Sequence, residues 1–376
     1  MNVFEVVKYE LKYILYSRQN LSLLWGLPIV FAVIFGLIYQ SDVLRAVPIV
    51  IYDQDNSSLS RSLVSSFEDS ERFMIVGNVN SEEESNEYLN SEEAIAALII
   101  PYDFSKKIKL GQGSRVELAI NSVNVIYPNT IIAAGKEIIT AYNIKLGQKL
   151  VESIESDYSA LAIVAPILIR ERILNNPTSS YRYFFLPGIV TNGIQLAIIL
   201  ATCTAMLREY KNNEILAKGT SCNLVVGKCV AYWLVAMLAI SSAMLICIKV
   251  WNIPLKGSFI SLLLIYGAFI FVITNLGLFF SAFISTPKQP LNPFVLTYVI
   301  PSFLFSGYNW PDIAKNNLAQ IYSLCLPMTY SVNVIRDIFL AGYSPDLYVN
   351  CGILLLIGIT LCIITIIAHK RKIKSA

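Results

Sequence analysis

Six hydrophobic stretches divide this chain, and the polar segment 41–183 separates the first of them from the other five. An α-helix needs about 20 apolar residues to cross the hydrocarbon core of a membrane, and most of these stretches reach that length. The pattern therefore predicts an α-helical polytopic membrane protein with six transmembrane helices. The predicted spans are residues 21–39, 184–207, 224–250, 258–285, 292–306 and 349–368.

Two of the predicted spans have special features. The first lacks the small-residue cleavage site of a signal peptide, so we interpret it as a retained transmembrane helix. The fifth is short and contains Pro293 and Pro301, so it is expected to be kinked or partly re-entrant. No span carries an ionisable residue in its middle, which disfavours transport driven by protons or sodium ions. Any transport is therefore expected to draw its energy from outside the chain.

Residues 1–20 have the periodicity of an amphipathic helix. We expect this helix to lie in the membrane surface before the chain enters the bilayer, and the alternative is a simple cytoplasmic lead-in. The apolar residues near one face are Val3, Val6, Val7, Leu11, Ile14 and Leu15, and the charged residues elsewhere are Glu5, Lys8, Lys12 and Arg18.

The segment 41–183 alternates between apolar runs typical of strands and segments typical of helices, which favours an inserted α/β domain. From Ile126 to about Asn175 the pattern is helical, with expected breaks near Pro128 and Pro166. Long helices are thus expected to extend the domain and return the chain to the membrane. The expected strands are 47–52, 73–76, 96–101 and 115–120, and the expected short helices are 59–69 and 81–89.

The charge distribution predicts the orientation. Segment 41–183 holds 19 of the 26 acidic residues but 13 of the 29 basic ones. Lysine and arginine dominate the short segments on the opposite side of the membrane from segment 41–183. These basic residues include Lys228 and those of the tail 370–376. Because loops rich in lysine and arginine stay in the cytoplasm, both termini are expected there and segment 41–183 outside. The net charge of +3 is an average over these unlike regions, so it is no sign of a nucleic-acid partner, and none is expected.

The reactive residues exclude several enzyme classes. His369 is the single histidine of the sequence, which excludes Ser-His-Asp hydrolases, HExxH proteases and histidine-based zinc sites. The sequence lacks a GxxxxGK[ST] loop, so the chain is not expected to bind ATP. None of the seven cysteines lies in segment 41–183, so no disulfide framework is expected. We expect no catalytic, cofactor-binding or metal-binding residues.

Asp53 and Asp55, which follow an apolar run, have two interpretations. A pair of carboxylates at the end of a strand can hold Mg²⁺ and act as nucleophile and acid in a phosphatase. Short polar side chains at this position also form a turn and cap the following helix. The second interpretation is favoured because no matching acidic cluster follows in the sequence.

Two segments between spans are candidate functional surfaces. After the second span, Arg208, Glu209, Glu214 and Lys218 suit a short helix along the inner membrane surface. We interpret this segment as a contact surface for a cytoplasmic partner, and the alternative is a solvated loop.

The segment between spans five and six is the second candidate. It contains turn-forming residues. Its aromatic residues suit a belt at the outer membrane interface, and they are Tyr308, Trp310, Tyr322 and Tyr330. Chemistry alone predicts a shallow outer loop with interfacial helices. The candidate residues of this outer gate or interface are Gly307, Trp310, Pro311, Pro327, Tyr330 and Arg336.

A series of short motifs follows a fixed order along nearly the whole chain. They are Glu10-Leu11, Pro28, residues 50–60, 99–105, 176–177, 184–188, 208–209 and 227–228, and the run from Ser306 through Trp310-Pro311 and residues 326–330 to Arg336. In this order and spacing the chain resembles the permease subunits of ABC-2 type exporters, in the subgroup with a large extracytoplasmic domain after the first span. Residues 212–214 and 219–222 depart from the Gly-Thr and later Ser/Thr-Pro steps that the family usually shows after its Arg-Glu pair.

The resemblance implies a permease that forms half of a transmembrane pathway, with a second permease copy as homodimer or heterodimer. A separate ABC ATPase subunit would supply ATP and Mg²⁺ chemistry and dock on the loop 208–222. In related systems the outer domain faces the periplasm and meets an adaptor and an outer-membrane channel. Drug-like or amphiphilic compounds are the implied cargo. The alternative is a membrane scaffold or sensor whose outer domain binds a ligand or protein.

The expected location is a bacterial inner membrane. The expected organisation is an interfacial helix (1–20), a first transmembrane helix (21–40), an extracytoplasmic domain (41–183), transmembrane helices two to six (184–369) with an outer loop (307–348), and a basic cytoplasmic tail (370–376).

Overall fold

The chain folds into two compact units in the computed structural model. One combines Met1–Asp42 with Ile173–Ala376 and is called the helical unit; the other, Val43–Arg172, contains a β-sheet and is called the sheet unit. The structure describes residues 2–40, 45–91, 93–110, 112–121, 126–153, 175–176, 180–206, 220–283, 293–310 and 312–375.

The helical unit begins with two helices separated at Ser17. Helix α1 spans Val3–Tyr16. After Ser17, helix α2 (Arg18–Leu21), a π-helical turn (Ser22–Gly26) and helix α3 (Leu27–Ile38) follow one another directly. Ser17 has extended backbone angles, and its hydroxyl accepts a hydrogen bond from the backbone N–H of Asn20 at 3.4 Å. This N-cap separates the amphipathic α1 from an apolar helix long enough to span a membrane.

The sheet unit alternates strands and helices. Its four strands form one sheet in the order β2-β1-β3-β4, in which β1 pairs in parallel with β2 and β3, and β4 is antiparallel to β3. The elements are β1 (Val47–Asp53), α4 (Ser58–Glu68), β2 (Phe73–Asn78), α5 (Glu82–Asn90), β3 (Ala96–Ile100), α6 (Phe104–Lys109), β4 (Glu117–Ile120) and α7 (Ile126–Ser153).

Apolar side chains on both faces of the sheet are buried. On one face, Ile49 and Leu98 pack with Phe67 of α4 and Ile131 of α7. The other face buries Val50 and Ala97 together with Leu89 of α5. The strands therefore read as nearly continuous apolar runs, as expected for a sheet covered on both sides.

The turn after β1 carries hydrogen bonds that explain its acidic residues. The Asp53 carboxylate accepts from the backbone N–H of Asp55 at 3.0 Å and from the Ser60 hydroxyl at 2.6 Å. The Ser57 hydroxyl accepts from the backbone N–H of Ser60 at 3.1 Å and caps α4. The Asp55 carboxylate accepts from the Ser105 hydroxyl at 3.0 Å. These bonds confirm the turn and helix cap predicted for this segment.

The predicted helix break near Pro128 is wrong. Helix α7 begins at Ile126, so Pro128 lies in its first turn. The first backbone N–H groups of a helix have no partner within the helix, so a proline is tolerated there. The second predicted break, at Pro166, lies outside the described residues.

The remaining helices belong to the helical unit. Five helices of the described chain are long and apolar enough to cross a membrane, namely Arg18–Ile38, Tyr181–Thr202, Ser221–Lys249, Phe259–Phe283 and Leu347–Lys372. The elements are α8 (Tyr181–Thr202), α9 (Ser221–Lys249), α10 (Phe259–Phe283), α11 (Pro293–Phe305), a 3₁₀ turn (Asp312–Ala314), α12 (Asn317–Leu324), α13 (Pro327–Leu340) and α14 (Leu347–Ser375).

The helices differ in how they are buried. In the most apolar 18-residue stretch of α8, 72% of the stretch is buried, and α8 packs against α3, α9, α10 and α13. In the corresponding stretch of α14 only 17% is buried, so α14 lies at the edge of the helical unit and exposes an apolar surface. The fifth predicted span corresponds to α11, a 13-residue helix that contains Pro301. The structure is therefore a polytopic arrangement of helices around a central α8.

Candidate functional site

A buried ion pair joins the N-terminal helix to α9. The Lys228 ammonium donates to the Glu10 carboxylate, and the two side chains are 0% and 1% exposed. Glu10 lies between Val6 and Ile14 on the face of α1 that packs against α9. The residues are spaced four apart and share one helical face. Apolar side chains thus flank the ion pair on this face of α1.

The structure corrects two predictions about this region, one for α1 and one for Lys228. Leu15, placed on the apolar face from the periodicity, is 54% exposed, while Glu10 is buried on that face. Lys228, assigned to a cytoplasmic loop, lies within α9 and is fully buried. Burying one charge alone in apolar surroundings is costly, so each residue is kept inside by the opposite charge of the other.

His369 is a further titratable residue of this region. It directly precedes the predicted basic tail 370–376, and it lies within α14 and is fully buried. His369 interacts electrostatically with Lys228 and Lys372. The Lys372 ammonium also donates to the Ala282 carbonyl at 2.9 Å. Charged or titratable side chains from α1, α9 and α14 therefore meet at one end of the helical unit, here called the α1 end.

The predicted partner-binding residues Arg208, Glu209, Glu214 and Lys218 lie outside the described residues. The structure describes the two positions that flank them. The Met206 backbone N–H donates to the Ser281 hydroxyl at 2.8 Å, and the Thr220 hydroxyl accepts from Asn223 at 3.3 Å to cap α9. The segment 207–219 therefore starts and ends at anchored residues.

The opposite end of the helical unit contains α13 and the loop before it, and is called the α13 end. Gly307 has a positive φ of 83°, a backbone conformation that favours glycine. This turn directs the next residue, Tyr308, into the unit, where it is 2% exposed. The Tyr308 hydroxyl donates to the Phe184 carbonyl of α8. A Cβ at Gly188 would lie 2.5 Å from the Tyr308 ring, so this α8 glycine makes the space for it.

Arg336 of α13 stacks on the aromatic residues of this end. Its guanidinium carbon lies 5.3 Å from the centre of the Phe184 ring and 5.1 Å from that of Tyr308. Both distances are within the range of cation–π attraction. The rings of Phe184 and Tyr308 stack with their centres 5.1 Å apart. Both Arg336 and Tyr308 were predicted to lie at an interface. In the structure Arg336 is partly buried, and Tyr308 is fully buried in the helical unit.

The aromatic contacts continue along α8 to α3. Phe185 meets Phe184 edge to face at 4.8 Å, and stacks on Tyr39 at 6.0 Å and on Tyr181 at 5.9 Å between ring centres. We call the five residues Tyr39, Tyr181, Phe184, Phe185 and Tyr308 the aromatic ladder.

The other predicted outer residues occupy separate positions. Trp310 is 58% exposed, as an interfacial residue would be, and its indole N–H donates to the Ala314 carbonyl at 3.2 Å. Pro327 begins α13, and the Tyr330 hydroxyl donates to the Leu324 carbonyl at 2.9 Å. These contacts hold α12 and α13 together. Pro311 lies outside the described residues.

Some of the polar side chains between the two ends bond one another across helices. The Gln195 amide donates to the Ser302 hydroxyl at 2.7 Å, and the Thr191 and Tyr266 hydroxyls are 2.8 Å apart. Such pairs allow polar groups to be buried among apolar helices.

A sequence comparison decides the family. The profile of the ABC-2 family of transporter proteins matches residues 21–367 of this chain, which include the π-helical turn, α3 to α13 and most of α14. The chain belongs to the ABC-2 transporter family. As an ABC-2 protein it is the transmembrane permease subunit of an ABC exporter and pairs with an ABC ATPase subunit in a membrane.

Individual ABC-2 relatives match most of the chain. It is 24% identical to the "Probable multidrug ABC transporter permease YbhR" of Escherichia coli (strain K12), over 93% of this chain and 92% of that protein. It is 23% identical to the "Inner membrane transport permease YhhJ" of the same organism, over 91% and 89%. The "ABC transporter G family member 20" of Dictyostelium discoideum is 26% identical over 79% of this chain and 41% of that protein.

Two features of this ABC-2 permease were missed from the sequence. The ion pair joins residues 218 positions apart, so no local pattern connects them. A signal was nevertheless present, because Glu10 interrupts an otherwise apolar helical stripe and Lys228 follows a glycine inside a predicted span. The aromatic ladder was missed because Phe184 and Phe185 were counted as span residues alone.

Proposed function

We propose that this permease forms one half of an ATP-driven export pathway for drug-like or amphiphilic compounds, with a second permease copy as the other half. The match to the ABC-2 family over residues 21–367 carries this proposal. The relatives named as multidrug permeases support the class of cargo. ATP and Mg²⁺ bind in the separate ATPase subunit, and this chain supplies the pathway.

The topology proposed for this function has six membrane spans, with α11 and the residues before it forming the fifth. The termini and the α1 end face the cytoplasm, and the sheet unit is an inserted extracytoplasmic α/β domain. The lysine and arginine residues beside the spans on the α1 side, among them Lys8, Lys12, Lys370 and Arg371, support this orientation. In a double-membrane cell the sheet unit is the surface for a periplasmic adaptor and outer-membrane channel.

The orientation is testable by labelling. In a cysteine-free variant, a cysteine replacing exposed Asp69 should react with a membrane-impermeant maleimide added to intact spheroplasts. A cysteine replacing Lys370 should react after the membrane is opened. Labelling of position 370 in intact spheroplasts would contradict the proposed orientation.

The proposed ATPase contact is the segment that contains Arg208, Glu209, Glu214 and Lys218. Opposite charges next to a membrane edge suit a short surface helix, and the segment is anchored at Met206 and Thr220. ATP binding would act on this segment by favouring one conformation of the permease over another.

The experiment reconstitutes the permease with its ATPase and measures export of fluorescent amphiphilic dyes, one anionic, one neutral and one cationic. Replacement of Arg208 and Glu209 by alanine should lower both permease-dependent ATP hydrolysis and dye export. A variant with Lys8 replaced by alanine changes an exposed charge on α1 and serves as the matched control. Unchanged ATP hydrolysis and export in the double variant would rule out this contact. Absence of ATP-dependent dye movement with the unaltered chain would contradict the multidrug export function.

A further inference from the structure

Arg336 presents a cation on an apolar platform. Its guanidinium packs on the rings of Phe184 and Tyr308 and is partly buried. The guanidinium carries five N–H donors along the edge of its plane, in a fork that matches the two oxygens of a carboxylate, sulfonate or phosphate.

The described part of the chain does not occupy this edge. None of its acceptors forms a hydrogen bond with Arg336, and none of its carboxylate oxygens lies within 4 Å of the guanidinium. The neighbouring acids have their own contacts: Asp337 accepts from the Ser344 hydroxyl at 3.2 Å, and Asp312 pairs with Lys315 at 2.5 Å. Asp337 interacts electrostatically with Arg336, but no described group hydrogen-bonds the guanidinium, so its N–H donors are available to an anion from outside.

The aromatic ladder gives the same site an apolar surface. It runs from Tyr308 and Phe184, beneath Arg336, to the partly exposed Phe185, Tyr181 and Tyr39. Aromatic rings bind the apolar body of a ligand with little loss of side-chain entropy. A cation at one end of an apolar strip is complementary to a molecule with an anionic head and an apolar body.

We propose that Arg336 and the aromatic ladder bind the anionic group and apolar body of an amphiphile at the α13 end. This inference rests on the proposed export function because it makes an anionic amphiphile one class of cargo. The same chemistry is found in the phosphate headgroup and acyl chain of a membrane lipid. Cationic amphiphiles are repelled by Arg336 and bind more weakly than anionic ones of the same length.

The experiment compares two fluorescent probes that differ in charge. The permease–ATPase complex, in phosphatidylcholine nanodiscs without nucleotide, is titrated with 11-(dansylamino)undecanoic acid and with its neutral methyl ester. The acid should bind about tenfold more tightly, because a charge-assisted, bidentate hydrogen bond replaces contact with water. Equal affinity for the acid and the ester would overturn the proposal.

Variants assign the preference to Arg336. Arg336→Gln should reduce the preference for the acid to about twofold or less and leave the affinity for the ester unchanged, since the rings remain. Arg336→Lys keeps the charge but loses the planar fork, so an intermediate preference is expected. The matched control is Lys249→Gln, which removes an exposed cation near the end of α9 and should keep the full preference. Full preference in Arg336→Gln would also overturn the proposal.

A final arm separates the two sources of the anion. In nanodiscs with phosphatidylglycerol, the preference for the acid over the ester is measured again for the unaltered chain and for Arg336→Gln. Comparing the two chains cancels the effect of membrane surface charge on the probes. If the two preferences become equal, a lipid phosphate occupies the site; if they still differ, the site belongs to transported cargo. Both results support an anion site. Binding is measured without ATP hydrolysis, so failure of export and failure of this site are distinguishable.

Discussion

The buried ion pair between Glu10 and Lys228 makes a quantitative prediction about stability. Lys228→Met keeps the length of the side chain but removes its charge, which leaves the Glu10 carboxylate at 1% exposure beside Val6 and Ile14. Removing one partner of a buried pair usually lowers the free energy of unfolding by about 3–5 kcal/mol. The near-complete burial of both side chains places this pair in that range, and Glu10→Leu should cost a similar amount.

The double variant Glu10→Leu/Lys228→Met distinguishes the ion pair from ordinary packing. It leaves no isolated charge between α1 and α9, so its stability should lie within about 1–2 kcal/mol of the unaltered protein, or above it. The cycle of the two single variants and the double variant should give an interaction free energy of several kcal/mol. This predicts strong non-additivity at residues far apart in sequence.

The measurement is reversible unfolding of the purified permease in mixed dodecylmaltoside–SDS micelles, followed by tryptophan fluorescence. Lys8→Met, an exposed lysine on α1, is the matched control and should change the unfolding free energy by less than about 0.5 kcal/mol. A loss below about 1 kcal/mol in both single variants, or a double variant that loses the sum of the single losses, would refute the assigned role of the pair.

Three further predictions concern other contacts. Gly188→Ala places a Cβ 2.5 Å from the Tyr308 ring and should cost about 1–3 kcal/mol in the same titration, whereas Gly352→Ala, with open space around it, should cost nothing. Gly307→Ala forces an L-residue into φ +83° and should lower stability by about 1–2 kcal/mol, measured as a lower thermal midpoint. Partial burial raises the pKa of Asp55, but hydrogen bonds from Ser57 and Ser105 outweigh it and hold the pKa below its usual value. A lowered pKa in the folded state stabilises the fold above about pH 4, and this is lost as the pH falls through the folded pKa. The protection of the amides of residues 104–109 against hydrogen exchange, relative to the intrinsic rate at each pH, should therefore fall below pH 4, and Asp55→Asn should remove that pH dependence.

Local patterns in the sequence predicted the elements well where local physics decides them. The Ser57 and Ser81 caps of α4 and α5 lie where short polar side chains precede a helical pattern, and hydrogen bonds at 3.1 Å confirm both. The periodicity of the first 20 residues placed Val6 and Ile14 on the packed face of α1. These features depend on spacing within one or two turns, which a sequence records directly.

The same reasoning failed where a distant partner decides the environment. Charge alone placed Lys228 among the basic residues of the cytoplasmic side, but Glu10 of another helix makes its burial possible. Tyr308 was assigned to an interfacial belt, but the missing side chain of Gly188 opens a place for its ring inside the helical unit. Sequence patterns give the polarity of a residue, whereas its partner across helices determines whether that polarity is buried.

Helix α8 physically connects the α13 end to the segment that we propose as the ATPase contact. Its 22 residues extend about 33 Å, with Phe184 beneath Arg336 near one end and Thr202 near Met206 at the other. A Cβ at Gly277 of α10 would lie 1.8 Å from the Thr202 hydroxyl, so the two helices touch closely there. Closely packed helices shift between discrete arrangements because side chains that interlock cannot slide continuously. A displacement of α8 that begins at Thr202 reaches Phe184, one of the two rings beside the Arg336 cation, only across Pro187, which lies inside α8 and removes one of its backbone hydrogen bonds.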